Sequence, residues 1–349
     1  MVGFIEDKEI FESARVIFDT RKDDEERTKW LKIRGKSIGG SEIAKIAGYS
    51  KYGSALTVFN DKLGLSEKFK GNIHTVFGNR MKPLIKEWIQ DDFEEATKIE
   101  LRIFEYPYMM IHKKYKFFSA NINGLARFED NYKYYENLDT KESEFIPKNE
   151  LVGLEIKTVS EFLKNRWEGD EIPNEYYYKC QWYMGVTGLN YFLLVYLIGK
   201  EVKWKIISRN EEAIKVLFEI GQDFWEKHIL EKVPPAPVGL PCETKEILYN
   251  QTLNKDIEVN IGDNKLERYK VIDEQIKALE KEKEQLKQLI YLELGESKKG
   301  SNGLYKVTRY EIKKDKIDSK LLNEKYPVTY AAIKNGTTEY VTMRITKCK

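Results

Sequence analysis

The sequence predicts an α/β protein with a small α+β appendage at its C-terminal end. Three observations lead there: a strand-like run at 150–158 that carries charges, helix-like and strand-like segments interleaved on both sides of it, and a proline cluster, Pro234-Pro235-Ala236-Pro237, that closes this part of the chain. The cluster divides the chain into a first domain, 1–235, and an appendage, 241–349.

Taken in order, Arg21 to Ile33 reads as a charged helix. The pair Gly39-Gly40 then runs into an apolar-periodic helix capped by Ser41. A glycine turn at a helix N-terminus offers backbone N–H groups and a favourable dipole to an anion, with Arg34 in reach. An ordinary glycine loop with a helix cap explains the same residues. The Walker lysine pattern is missing, so this is not a nucleotide P-loop. Leu56, Val58 and Phe59 face inward in the next helix. Met81, Leu84, Ile85, Trp88 and Ile89 mark one face of a long helix with Pro83 in its first turn.

Strands follow around 100–104 and 117–120, Asn123-Gly124 reads as a tight turn, and the tyrosine-bearing tract 130–149 as a surface excursion. In the central strand Leu151, Val152, Leu154 and Ile156 are apolar. Glu155 and Lys157, two apart, project from the same pleat. Burying both costs roughly several kcal/mol per ion unless they are paired, metal-bound or facing a wet cleft. A satisfied Glu–Lys pair at a strand end is one reading. The other is a Glu-x-Lys nuclease site, in which the carboxylate holds Mg²⁺ and the lysine orients the attacking water.

Beyond it, 160–167 reads as helical, and 172–188 as a proline-started helix ending at Gly188. Strand 191–198 turns through Gly199-Lys200 into an antiparallel strand at 202–207, and a helix from Glu211 to Glu231 is capped by Asn210. Past the prolines, Ile272, Ile276, Leu279, Leu286 and Ile290 are spaced four and three apart with Lys283 in the missing slot. This gives about three heptads of an antiparallel or intermolecular coiled coil. Asn302-Gly303 and Asn335-Gly336 are turn signals beside alternating segments at 304–312 and 340–345, with one helix, Ser319 to Lys325, between them.

Hydrophobic residues are 41% and charged residues 33% of the 349, which suits a globular protein with a core and a charged surface. A net charge of +2 excludes a simple polycation and leaves room for a local basic groove. Cys180, Cys242 and Cys348 lack C-x-x-C spacing, so neither a disulfide framework nor a zinc site is indicated. His74, His112 and His228 form no H-E-x-x-H arrangement, and imidazole-based chemistry is not expected. Neither a signal-like N-terminus nor a membrane-length apolar run is present, so a cytoplasmic protein is expected.

Several motifs occur together and in order. They are Arg34 with Ile38-Gly39-Gly40-Ser41-Glu42-Ile43; Gly78-Asn79-Arg80 with Pro83; Ala120-Asn121-Ile122-Asn123-Gly124-Leu125; Gly153-Leu154-Glu155-Ile156-Lys157-Thr158; and Pro173 through Tyr177, Gln181 and Val186-Thr187-Gly188. Over residues 30–230 this order resembles the YqaJ-type viral recombinase nucleases, relatives of phage lambda exonuclease within the PD-(D/E)XK superfamily. The resemblance implies an α/β core with a mixed central sheet flanked by helices, and 5′-to-3′ resection of linear double-stranded DNA with Mg²⁺ or Mn²⁺. It also implies a ring-shaped homotrimer, a phage single-strand annealing protein as partner, and the cytoplasm of a bacterial host as the setting.

Position by position, the resemblance implies a 5′-phosphate pocket at Arg34 and Ser41. It makes Glu155 a metal-binding carboxylate, Ile156 a backbone-carbonyl ligand, Lys157 the catalytic lysine and Gln181 the helix glutamine beside the site. Two positions depart: Lys82 stands where the family has a metal-binding glutamate, and Asn123 where it has the key aspartate. The usual set carries a net charge of −2, whereas Lys82, Asn123, Glu155 and Lys157 carry +1. A protonated lysine cannot coordinate, and an amide is a poor ligand for Mg²⁺. Glu87 is roughly 140° around the helix from Lys82, so a replacement carboxylate would have to come from Glu105, Glu129 or Asp130. The expectation is a recombination exonuclease by fold and ancestry that binds metal poorly and cuts weakly or not at all. The alternative is a non-catalytic DNA-end-binding or recombination-assembly module. A sequence-specific endonuclease of the same superfamily is a third option, against which the Arg34–Ser41 pattern argues.

Overall fold

The computed structural model describes residues 2–21, 24–67, 71–137, 142–167, 172–249, 251, 258–262, 264–313 and 318–333. Two compact units result, Met1–Thr252 and Leu253–Lys349.

In the first unit the elements run β1 (Gly3–Phe4), β2 (Ala14–Asp19), α1 (Asp24–Gly35), α2 (Gly40–Ile46), α3 (Ala55–Leu63), α4 (Ile73–Thr97), β3 (Leu101–Glu105), β4 (Tyr108–His112), β5 (Ser119–Ala120) and β6 (Gly124–Phe128). Then come β7 (Tyr132–Asn137), β8 (Glu142–Ile146), β9 (Val152–Val159), a 3₁₀ turn (Glu161–Arg166), α5 (Asn174–Thr187), β10 (Tyr191–Ile198), β11 (Glu201–Ser208), α6 (Glu211–Phe224), a π-helical turn (Trp225–Leu230) and α7 (Pro241–Tyr249). The main sheet has the order β1-β3-β6-β9-β10-β11 and mixes parallel with antiparallel pairs. Among the described residues of this unit a second sheet, β2-β4-β5, and the hairpin β7-β8 complete the β structure.

β10 reads as an unbroken apolar run because both of its faces are buried. Phe192, Leu194 and Tyr196 join one core with residues of α2, α5 and α6, including Ile43, Trp182, Met184 and Leu217. Leu193, Val195 and Leu197 join the other, with Ile85, Ile89 and Phe93 of α4. The period of two along one strand thus divides the core into two layers, and the mixed sheet flanked by helices is the one expected.

Several local expectations are corrected. The cap of α2 is Gly39, not Ser41, and the Glu42 carboxylate accepts its N–H at 2.8 Å. α4 starts at Ile73 behind an Asn72 cap, which puts Pro83 in the helix interior, where a proline removes one i→i−4 hydrogen bond. Asn123-Gly124 is no hairpin turn. The Asn123 N–H donates to the Leu154 carbonyl at 3.0 Å and Gly124 opens β6. Gly124 has φ +154°, and a Cβ there would stand 2.7 Å from the Phe104 carbonyl oxygen, so only glycine fits. The described part of 130–149 is the hairpin β7-β8, with Tyr134 and Ile146 buried. The helix at 211–231 gives way to the π turn after Phe224.

The proline cluster does not end the first unit. Beyond it, α7 is tied back by Glu243, which is 2% exposed. Its carboxylate accepts from the Ser54 hydroxyl at 2.6 Å and from the N–H groups of Gly239 and Leu240 at 2.8 and 2.9 Å. The prolines follow the π turn and not α6 itself, and a buried carboxylate carries the compact unit on to Thr252.

The second unit contains α8 (Lys265–Leu294), the hairpin β12 (Lys299–Ser301) with β13 (Lys306–Thr308), α9 (Ser319–Lys325) and α10 (Pro327–Ile333). Asn302-Gly303 makes the hairpin turn as expected, with Gly303 at φ +89°. The expected turn at Asn335-Gly336 and strand at 340–345 lie outside the described residues. Among the described residues no helix is long and apolar enough to cross a membrane.

Candidate functional site

Alternation along β9 sends Leu154 and Ile156 into the α4 layer, and Glu155 and Lys157 to the opposite face, which α5 covers. Glu155 is fully buried. Its Oε1 lies 3.2 Å from Lys157 Nζ and 2.5 Å from Lys179 Nζ on α5. Oε2 is buried with no hydrogen-bond partner. Burial pushes the carboxyl up, but Lys179, Lys157 and, through space, Lys82 outweigh it and hold Glu155 down at about 2. For Lys82, burial is the largest influence and lowers the ammonium's pKa. Glu155 opposes that shift, and Lys179, Lys157 and Lys86 add to it.

Four of the expected residues therefore gather: Lys82, Asn123, Glu155 and Lys157. Asn123 Oδ1 accepts the Ile156 N–H at 2.9 Å, so the side chain extends the β9 ladder where β6 stops. Gln181 does not join them. Its Nε2 donates to the Ser208 carbonyl at 2.7 Å and its Oε1 accepts the Asn210 N–H at 2.9 Å, which fastens α5 to the β11–α6 junction. Positions two apart on a helix differ by about 200° in direction, so with Gln181 turned to β11 the α5 residue that faces Glu155 is Lys179. No spacing in the sequence singles it out, because a lysine in a helix reads as a solvated face until packing shows its side chain to be 9% exposed.

Lys179 is held in place by packing. A Cβ on Gly40 would stand 2.9 Å from Lys179 Cγ and 2.7 Å from Tyr183 Cε1, so a glycine at the start of α2 lets that helix close on α5. The Lys179 ammonium lies 5.4 Å from the Tyr183 ring centre, and Lys157 lies 5.2 Å from that of Tyr176, within cation–π range. Burial raises the Tyr183 phenol well above its usual range, with Glu155 adding to the shift and Lys157 and Arg34 opposing it.

Arg34 and Ser41 lie at the end of α1 and in the first turn of α2. Ser41 is exposed. Arg34 Nε is 3.8 Å from Glu42 Oε1, which also receives the buried Lys62 ammonium at 2.8 Å. Lys62 in turn donates to the carbonyls of Arg34 and Ser37. Sequence reasoning missed Lys62, which ties the α1–α2 connection to α3 and leaves the Arg34 guanidinium partly exposed.

The residues present do not fit a magnesium site. Mg²⁺ asks for hard, mostly anionic oxygens in near-octahedral array. One Glu155 oxygen is taken by two ammonium groups, and the Asn123 oxygen is taken by a backbone N–H. Glu105 is paired with Lys86 at 2.6 Å and Glu129 with Arg102 at 3.2 Å, so neither supplies the missing carboxylate. Among the described residues no three His, Cys, Asp or Glu side chains form a group that could hold a metal.

Residues 29–190 match the family described as the YqaJ-like viral recombinase domain. The chain is similar to the uncharacterized protein YqaJ of Bacillus subtilis (strain 168), with 26% identity over 319 residues that cover 89% of this chain and 92% of the relative. Among solved structures it is similar to the alkaline exonuclease LHK-Exo of Laribacter hongkongensis, crystallised with dAMP, at 14% identity and a TM-score of 0.43, covering 58% of this chain and 93% of that one. It is also similar to a phage-related exonuclease from Haemophilus somnus 129PT at 13% identity and a TM-score of 0.34, covering 56% and 96%. The match over 29–190 and the Bacillus subtilis relative bear out the resemblance to YqaJ-type viral recombinases drawn from the motifs.

Proposed function

We propose that the chain is a phage- or prophage-type recombination exonuclease by ancestry whose centre grips the end of duplex DNA and cleaves it weakly or not at all. The observation that carries this reading is the Lys179 ammonium 2.5 Å from the Glu155 carboxylate, with Lys157 at 3.2 Å on the same oxygen. Hydrolysis needs a group that takes a proton from water, and a carboxyl held at about 2 is a feeble base at neutral pH. It also needs the metal expected from the resemblance, which the donor set does not accommodate. Lys82, Lys157 and Lys179 together outnumber the one carboxylate among them. A phosphate entering from the Arg34 side would meet net positive charge, and counterion release would make that binding salt-dependent.

The test pairs two measurements on the full chain. Binding of a 5′-phosphorylated linear duplex is followed by anisotropy with Mg²⁺ and with EDTA, and digestion of the same duplex is followed in parallel. The expected outcome is binding indifferent to EDTA, weakened by salt and by loss of the 5′-phosphate, with little digestion. Robust Mg²⁺-dependent resection by pure protein would overturn the impairment. Nicking of a closed circle would favour an endonuclease, and absence of binding at low salt would remove the DNA-end reading altogether. A single-strand annealing protein as partner and a trimeric ring remain part of this proposal, supported by the resemblance.

A further inference from the structure

α8 is a 30-residue helix, roughly 45 Å long, whose apolar stripe the described residues leave uncovered. Ile272, Ile276, Leu279, Leu286 and Ile290 are each 40% exposed or more, and Leu279 reaches 64%. Their spacing puts Ile276, Lys283 and Ile290 at the first core position of successive heptads, and Ile272, Leu279 and Leu286 at the second. We infer that α8 pairs in parallel and in register with α8 of a second copy of this chain, as a two-stranded coiled coil that joins a copy in one trimeric ring to a copy in another.

Three features of the helix select that occupant. Isoleucine at two of the three first core positions, Ile276 and Ile290, with leucine at two of the three second positions, Leu279 and Leu286, is the combination that favours two strands. The flanking charges favour the parallel arrangement. Each flanking position meets the residue five further on in the partner helix, which sets Arg268 against Asp273 and Glu282 against Lys287, both pairs of opposite sign, and Gln275 against Glu280, a neutral contact. An antiparallel pair over the same stripe would instead set Glu280 against its own copy and Glu282 against its own copy. The third feature is Lys283. In a parallel, in-register pair the two Lys283 stems lie side by side and carry their ammonium groups out to water. Slipping by one heptad would press each against an isoleucine, so the lysine weakens the pair while fixing its alignment.

The experiment uses the full-length protein in sedimentation equilibrium over a range of concentrations. The expected result is a mass that Leu279→Asp with Leu286→Asp lowers by a factor of two, with circular dichroism and DNA-end binding unchanged because both side chains are exposed. Lys283→Ile should tighten the association at least tenfold. Orientation is read by oxidative crosslinking against the wild-type cysteine background: Lys283→Cys should give a disulfide-linked dimer, and Lys281→Cys, on the outer face, should not. A wild-type mass indifferent to the aspartate substitutions would overturn the pairing and point to a foreign helix or another segment of the same chain. A halved mass without Lys283→Cys crosslinking would overturn the parallel arrangement.

Discussion

Replacing Lys179 by methionine removes the closest partner of a fully buried carboxylate while keeping the length of the side chain. Glu155 is held at about 2 against an ordinary value of 4.5, which corresponds to about 3 kcal/mol of stabilisation at neutral pH. Lys157 shares that effect from 3.2 Å, so the variant should lose about 2–3 kcal/mol in urea unfolding at pH 7, near the lower end of the cost of breaking a buried ion pair. The pH dependence has a definite sign. A depressed carboxyl contributes fully above its unfolded value, and the contribution drains away as pH falls through the folded value. The difference between wild type and variant should therefore be constant from pH 7 to about 4.5 and narrow below it, toward pH 2. A variant within about 0.5 kcal/mol of wild type at pH 7, or a difference that does not narrow in acid, would refute the proposed role of Lys179.

Three other outcomes are expected. The triple variant Lys82→Glu, Asn123→Asp, Lys179→Gln should bind Mn²⁺ at least tenfold more tightly than wild type by calorimetry and digest linear duplex; heats indistinguishable from wild type would refute the charge argument. Glu243→Gln should raise hydrogen exchange across 238–249 and cost about 2 kcal/mol, because a buried carboxylate that gathers the Ser54 hydroxyl and backbone N–H groups is lost. Burial pushes the Glu243 carboxyl up, but those hydrogen bonds win and lower it, so the wild-type segment should loosen below pH ~4.3 while the variant responds little. Gly40→Ala should cost about 1–3 kcal/mol by pushing Lys179 and Tyr183 apart, with weakened DNA-end binding as a second readout.

What could be read from the sequence was local. Gly188 ends α5 at φ +87°, Asn210 caps α6 through the Ala213 N–H at 2.9 Å, and the Gly199-Lys200 turn joins β10 to β11, all as expected. Glu155 and Lys157 were visible because charges interrupted an apolar run. Lys179 escaped because a charged residue in a helix usually marks a solvated face, and only tertiary packing shows that this one is inside. Gln181 has an environment that depends on where β11 ends and α6 begins, which no motif spacing records. The reach of the first unit past the prolines rests on Glu243 meeting Ser54, a contact 189 residues apart in sequence and invisible to any window along the chain.

The hydrogen bond from Ile156 to Asn123 needs nothing from residue 123 except one acceptor oxygen, and aspartate carries the same oxygen in the same place. The sheet is therefore indifferent to which of the two stands there. In the genetic code asparagine and aspartate differ by a single base, as do lysine and glutamate, and lysine and glutamine. A lineage carrying this scaffold can thus cross between a metal-holding and a lysine-filled centre by point changes that leave the β6–β9 backbone intact.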